Sequence, residues 1–267
     1  MVNGKKIVVV MPAYNAGKTI AKALAAIPKG MVDDVLVIDD GCQDDSAKIA
    51  RDAGAVVIAH EKNKGYGAAQ KTGYREALAR GADVAVMVHS DFQYDPTLVP
   101  EMVKSITLGQ ADACFGSRMH RKKDARAGGM PWWRFVANIA LTLIEECFLH
   151  LHLSEYHTGY RAYGRSVLLR IPFDALSNNY VFDTEMLADL AVGKFRVTEI
   201  PIPTRYSEDS QSPNFRKSVQ YGFSTLAVMG RYALHQLGIK RYPKFFIQDL
   251  PPPVGGVQPR SVENSIW

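Results

Sequence analysis

The groups best placed to act on a ligand lie in one short stretch, Val84-Ala85-Val86-Met87-Val88-His89-Ser90-Asp91-Phe92-Gln93-Tyr94-Asp95-Pro96. The apolar run from Val84 to Val88, with Gly81 upstream and acidic and turn residues downstream, reads as a buried strand that stops abruptly at polar groups. In open α/β sheets, ligands sit beyond the carboxyl ends of strands, and a hard divalent cation holding phosphates needs only one or two protein oxygens there. Asp91 is therefore the first candidate metal contact.

The rest of the chain must position that carboxylate. Its 267 residues suffice for one α/β domain with an appended segment, and 22% charged residues is ordinary for a globular protein. The net charge of +5 is mildly basic and suits phosphate substrates, an anionic membrane surface or a solvated face. No nucleic-acid partner is expected. Cys42, Cys114 and Cys147 lie far apart with no CxxC spacing, so a reducing cytoplasm is the expected location. The segment before the first strand is too short for a signal peptide, and Phe135 to Leu153 is too polar, with Asn138, Glu145, Glu146, His150 and His152, to cross a bilayer. It remains able to lie on one.

Strands and helices alternate through the first part. Ile7 to Met11 reads as a strand, followed by a turn at Pro12 to Asn15, with Asn15 as a candidate cap for a helix carrying Ile20, Ala23, Leu24 and Ile27. Val35 to Ile38 is a second strand ending in Asp39-Asp40-Gly41; a helix ended by Gly54, a strand at Ala55 to Ala59, a helix from Ala68 to Arg80, the strand before Asp91 and a helix from Thr97 to Leu108 follow. This order argues for a mostly parallel sheet flanked by helices. Residues 1–118 form the first half of a domain expected to run to 212. His120 to Met130, with Arg121, Lys122, Lys123 and Arg126, reads as a basic loop. Phe135 to Leu153 reads as one long helix, Gly159 to Tyr163 as a strand, and Arg165 to Arg170 and Asp183 to Ala191 as helices. Phe195 to Arg205 reads as extended, 213–247 as an amphipathic helical segment from Arg216 to Leu237, and 248–267 as a disordered tail.

Val8-Val9-Val10-Met11-Pro12-Ala13-Tyr14-Asn15, Val37-Ile38-Asp39-Asp40-Gly41, Asn63-Lys64-Gly65-Tyr66-Gly67-Ala68-Ala69 and Ser90-Asp91-Phe92-Gln93, in this order and spacing, resemble the family 2 inverting glycosyltransferases. Thr158-Gly159-Tyr160-Arg161-Ala162-Tyr163 is similar to a segment of dolichyl-phosphate mannose synthases and related polyprenyl-phosphate sugar transferases. The resemblance implies a GT-A fold with a mixed, mostly parallel sheet, a UDP- or GDP-linked sugar donor, and Mg²⁺ or Mn²⁺ bridging the donor diphosphate. Pro12, Ala13, Tyr14, Asn15 and Ser90 are then candidates to hold the donor, and Asp40 looks like the carboxylate that meets the base. Asp39, pointing the other way on an extended chain, is assigned to the turn. Lys64 and Gly65 make a loop able to approach phosphate. Where the family usually has Asp-x-Asp, this chain has His89-Ser90-Asp91. Hard Mg²⁺ prefers oxygen, so Asp91 and Gln93 are the expected ligands, with His89 either a third ligand for Mn²⁺ or a half-buried imidazole bonded to a neighbouring loop.

The acceptor decides the remaining chemistry. A hydroxyl nucleophile must lose its proton to a positioned base, whereas a phosphate is already ionised and needs only orientation. Asp183 lies where the resemblance places such a base, and also where an acidic helix cap would fall. For a phosphate, the candidates are Arg118, Arg161 and Arg205, Arg118 and Arg161 toward the reacting groups and Arg161 and Arg205 toward the acceptor. Ser207 to Pro213 is a candidate lid. The expected activity is inverting transfer of a sugar to a polyprenyl-phosphate or other lipid-linked acceptor, by a protein peripheral to the inner face of a membrane. Saccharide acceptors, a homodimer, a hydroxyl acceptor and a non-catalytic nucleotide-sugar binder stay open.

Overall fold

The computed structural model describes residues 1–120, 129–203 and 215–249. Seven strands form one sheet: β1 (Ile7–Ala13), β2 (Asp34–Asp39), β3 (Val56–Ala59), β4 (Val84–Met87), β5 (Ala113–Ser117), β6 (Arg161–Gly164) and β7 (Val197–Pro201), in the order β3-β2-β1-β4-β6-β5-β7. All pairs are parallel except those of β6, which runs antiparallel between β4 and β5. The helices are α1 (Ile20–Ala25), α2 (Ser46–Asp52), α3 (Tyr66–Ala79), α4 (Val99–Thr107), α5 (Trp132–Leu149), α6 (Arg165–Arg170), α7 (Phe182–Val192) and α8 (Phe215–Gln236).

The period-2 alternation of β1 decides the layering. Ile7, Val9 and Met11 enter one core with Ile20, Ala23, Met102 and Val103, whereas Val8 and Val10 enter another with Tyr74, Leu187, Val228 and Met229. Helices therefore cover both faces, and β1, β2 and β4, buried on both sides, are the near-continuous apolar runs expected of parallel strands. Gly73 sets the closeness of α3: a Cβ there would stand 2.1 Å from Val10 Cγ1, so any side chain would lift the helix off the sheet. Helix α7 is buried along nearly its whole length, consistent with its lack of a polar face.

Three expectations are corrected. Asn15 does not cap α1; it sits at φ 49° and accepts from the Gln43 amide at 2.8 Å, tying the β1 turn to the β2 turn, and α1 begins only after Thr19. The long helix starts earlier and ends at Leu149, because His150 turns left-handed at φ 50°; Leu153 reaches the core from irregular chain. The strand expected at Gly159 to Tyr163 lies at Arg161–Gly164. Arg205, the Ser207 to Pro213 lid, the basic stretch at 121–128 and the tail from 250 fall outside the described residues. No described helix is long and apolar enough to cross a membrane.

Candidate active site

The candidate site forms where β1, β2 and β4 end on the same edge of the sheet. The Ser90 hydroxyl donates to the Pro12 carbonyl at 2.9 Å, and the Ser90 carbonyl accepts from Thr19 Oγ1 at 2.8 Å, which fixes the β4 end against the β1 turn. Asp39 orders its own turn, accepting from the Cys42 amide at 2.8 Å. Asp40 is buried and holds the next loop: Oδ1 accepts from the Lys64 amide at 2.8 Å and lies 2.7 Å from His60 Nδ1, while Oδ2 accepts from the Gly65 amide at 2.9 Å. The Gly67 amide donates to the Asn178 carbonyl. These amides are engaged within the protein. The Lys64 residue is exposed.

Two cavities meet on this edge. The first, of about 340 Å³, is lined by Pro12, Ala13, Tyr14, Asp40, Gly65 and Ser90, together with Asn63 and Asn179. The second, of about 220 Å³, is lined by Gln93, Arg118, Arg134, Asp183 and His157, by the apolar Trp133 and Leu141 of α5 and by Tyr221 of α8. Tyr66, His89, Asp91 and Tyr180 line both. Most of the donor-side candidates thus line one cavity, and Asp91 stands at the junction. Asn15 and Lys64 line neither.

A line of side chains connects the two carboxylates at the junction. His89 Nδ1 is 3.9 Å from Asp91 Oδ1, and its Nε2 is 3.2 Å from the Tyr66 hydroxyl. Tyr66 donates to Asp183 Oδ2 at 3.3 Å, and Gln70 donates to Asp183 Oδ1 at 3.0 Å. The imidazole fits this line only because position 159 is glycine, since a Cβ there would meet His89 Nε2 at 2.3 Å. Burial is the main influence on His89 and lowers its pKa despite the charge of Asp91, which favours the neutral ring. Burial, with Asp183 adding to it, pushes the Tyr66 hydroxyl well above its ordinary value, so Tyr66 acts as a donor. Tyr180 stacks on Tyr66 at 5.1 Å.

The donor set suits a cation that arrives with its ligand. No group of three or more His, Cys, Asp and Glu side chains comes together among the described residues. Asp91, held in its loop by the Gln93 amide at 3.0 Å, and the Gln93 side chain line the same cavity as His89, enough for a cation whose other ligands are phosphate oxygens and water.

The arginines divide. Arg161 is fully buried beneath the site and donates to the backbone carbonyls of Thr158, Asp183 and Tyr156 at 2.7, 2.8 and 3.1 Å. It cannot touch acceptor or diphosphate, which corrects its assignment to both; it positions Asp183, whose Oδ2 is 3.9 Å from the guanidinium. Arg118 does line the second cavity, held by the wholly buried Glu155, which accepts from its backbone amide at 2.7 Å and its Nε at 2.8 Å, with Asn138 donating at 2.8 Å. Tyr66, Gln70, Glu155, His157, Tyr180 and Tyr221 were not among the sequence candidates. A buried acid 37 positions from its arginine leaves no local signal.

The sequence matches the family described as Glycosyl transferase family 2 over residues 8–171, more than half of the chain. It is 30% identical to the undecaprenyl-phosphate mannosyltransferase of Micrococcus luteus, over 74% of this chain and 82% of that protein. It is 27% identical to the UDP-N-acetylglucosamine–dolichyl-phosphate N-acetylglucosaminyltransferase of Methanococcus voltae, over 78% and 89%. The crystal structure of glucosyl-3-phosphoglycerate synthase from Mycobacterium tuberculosis, in complex with Mn²⁺, UDP and glucosyl-3-phosphoglycerate, superposes with a TM-score of 0.66 at 21% identity, covering 88% of this chain and 81% of that one. The fold, the strand-end site and the family match agree: this chain is a GT-A enzyme belonging to glycosyltransferase family 2.

Proposed function

We propose that the protein transfers a sugar, with inversion, from a nucleotide diphosphate sugar to a polyprenyl phosphate at a membrane surface. The observation that carries this reading is the second cavity, which combines Arg118 and Arg134 with the apolar Met130, Trp133, Ala137 and Leu141. Such a lining suits an anionic head on an apolar chain. The relatives named for undecaprenyl and dolichyl phosphate support the same class of acceptor.

In this reading the base and ribose occupy the cavity between Ala13, Tyr14 and Asp40, and the diphosphate reaches the junction at Asp91. A divalent cation held by Asp91 and Gln93 would supply charge neutralisation for the departing nucleoside diphosphate. The Tyr66 hydroxyl and the neutral His89 ring keep Asp91 and Asp183 apart in a fixed geometry. Arg118, locked by Glu155, offers a preorganised charge to the acceptor phosphate, which needs no base. The test is incubation of the enzyme with labelled UDP- and GDP-sugars and a short polyprenyl phosphate. Label is expected in the organic phase as a sugar phosphodiester, with one nucleoside diphosphate released per transfer; release without lipid-phase label overturns the proposal.

Asp183 supports a second reading because it lines the same cavity and can serve as base to a hydroxyl acceptor. Asp183→Asn is expected to keep kcat for a phosphate acceptor within about tenfold and to lower it about 10²-fold or more for a hydroxyl acceptor. Rates on matched acceptors decide between them.

The membrane part of the proposal rests on α5 and α8. Trp132, Val136 and Leu143 on α5 and Val219, Phe223 and Leu226 on α8 are exposed, Phe223 at 70% and Trp132 at 71%. Exposed apolar groups of this kind, together with the exposed Arg216, Lys240 and Arg241 in the same C-terminal segment, suit an anionic leaflet. Phe223→Asp is expected to lower co-sedimentation with anionic vesicles about tenfold without changing donor affinity; undiminished vesicle binding contradicts it, and a loss of self-association instead would assign the face to a homodimer.

A further inference from the structure

Helix α5 carries Glu145 to a position with no solvent exposure. Its Oε2 lies 3.0 Å from His157 Nε2, a contact too poorly aligned to satisfy either atom as a hydrogen bond. A buried carboxylate without a hydrogen-bond partner is strongly unfavourable, and the His157 imidazole is the polar group recorded against it. The other ring nitrogen, Nδ1, lies 3.2 Å from the hydroxyl of Tyr221 on α8, and the rings meet edge to face. That hydroxyl is also 3.2 Å from Thr184 Oγ1 on α7. His157 and Tyr221 line the acceptor-side cavity, and Glu145 stands outside it.

We infer that His157 and Tyr221 form the subsite for the acceptor's phosphate monoester, with Glu145 behind the ring holding its orientation. The inference rests on the phosphate-acceptor reading above. The Nε2 atom faces Glu145, which leaves Nδ1 to face the Tyr221 oxygen or the phosphate. Tyr221 can then turn its own proton toward a phosphate oxygen. Arg118, whose guanidinium donates to the His157 carbonyl at 3.1 Å, adds positive charge, and Glu155 balances it. No bond is made or broken at this subsite. His157 and Tyr221 touch the substrate, whereas Glu145 is a positioning residue.

The test uses the full chain and two phosphate acceptors, a water-soluble short-chain prenyl phosphate and glycerol phosphate. His157→Gln is expected to raise acceptor KM at least tenfold and Tyr221→Phe about threefold or more, with donor KM within twofold. Glu145→Gln is expected to move acceptor KM in the same direction. A double variant, Glu145→Gln with His157→Gln, is expected to match His157→Gln alone, since Glu145 acts only through the ring. A KM rise confined to the prenyl phosphate identifies a lipid-linked phosphate, and a rise with both identifies the phosphate alone; both support the subsite. Should His157→Gln fail to fold by circular dichroism, Tyr221→Phe, which loses one hydroxyl, carries the comparison. Acceptor KM within twofold in the folded variants, or a fall in kcat at unchanged acceptor KM, overturns the inference while leaving the proposed function intact. Wild-type enzyme that transfers to neither phosphate overturns the proposed function and the subsite with it.

Discussion

Asp91→Ala is expected to lower kcat/KM for sugar transfer by about 10³-fold or more while the protein stays folded. The size of the effect follows from position. Asp91 is one of four residues lining both cavities, and the only one of these four that carries a carboxylate. In the proposed reaction a departing nucleoside diphosphate develops charge at this junction, and nothing in the set Tyr66, His89, Tyr180 can hold a hard cation against it as strongly. The bond that Asp91 accepts from the Gln93 amide is worth about 1 kcal/mol, far less than the expected loss of transition-state stabilisation. Steady-state kinetics with circular dichroism of the same sample checks both halves. Near-normal turnover in a folded variant would remove the cation from the account.

The second large effect concerns stability. Glu155→Gln is expected to destabilise the protein by about 3–5 kcal/mol, since it leaves the mostly buried Arg118 guanidinium without its counter-charge. That is a large part of the 5–15 kcal/mol typical of a folded domain. The same pair fixes a pH dependence. Burial is the largest influence on Glu155 and would raise its pKa, but the charge of Arg118 and the hydrogen bonds from Arg118 and Asn138 together outweigh it, and the carboxyl lies below its ordinary value of 4.5. Because the folded value is depressed, the stabilisation is present above about pH 4.5 and is lost as pH falls through the folded value. Urea titrations between pH 3 and 7 should therefore show a steeper acid loss for wild type than for Glu155→Gln. Equal slopes, or a variant within 1 kcal/mol of wild type at pH 7, contradict this role.

The donor half was legible in the sequence because each of its parts ends a strand. Val8 to Met11, Val35 to Ile38 and Val84 to Val88 are β-branched or apolar runs that stop at polar groups, and parallel strands bring such ends to one edge whatever the connecting helices do. The acceptor half was less legible, because its parts come from α5, α7, α8 and the chain before β6, and nothing local says which faces meet. Arg161 shows the difficulty: Gly159-Tyr160-Arg161 reads the same whether the guanidinium rises into a cavity or lies beneath one, and only the backbone carbonyls of Thr158, Tyr156 and Asp183 decide for the core. The helix expected to reach Leu153 ran too far for a related reason. Leu151 and Leu153 continue the apolar character, and the left-handed turn at His150 has no glycine to announce it. Tyr66 and Tyr180 are single aromatics 114 positions apart with no local signal to pair them, although they stack and both line the two cavities.

The most direct measurement is a crystal structure of the protein with a bound nucleotide sugar and Mn²⁺. The account predicts the base against Ala13, Tyr14 and Asp40, the diphosphate at the junction with the metal on Asp91, and the sugar turned toward Asp183 and Arg118. A diphosphate lodged away from Asp91, or a metal held elsewhere, would contradict it.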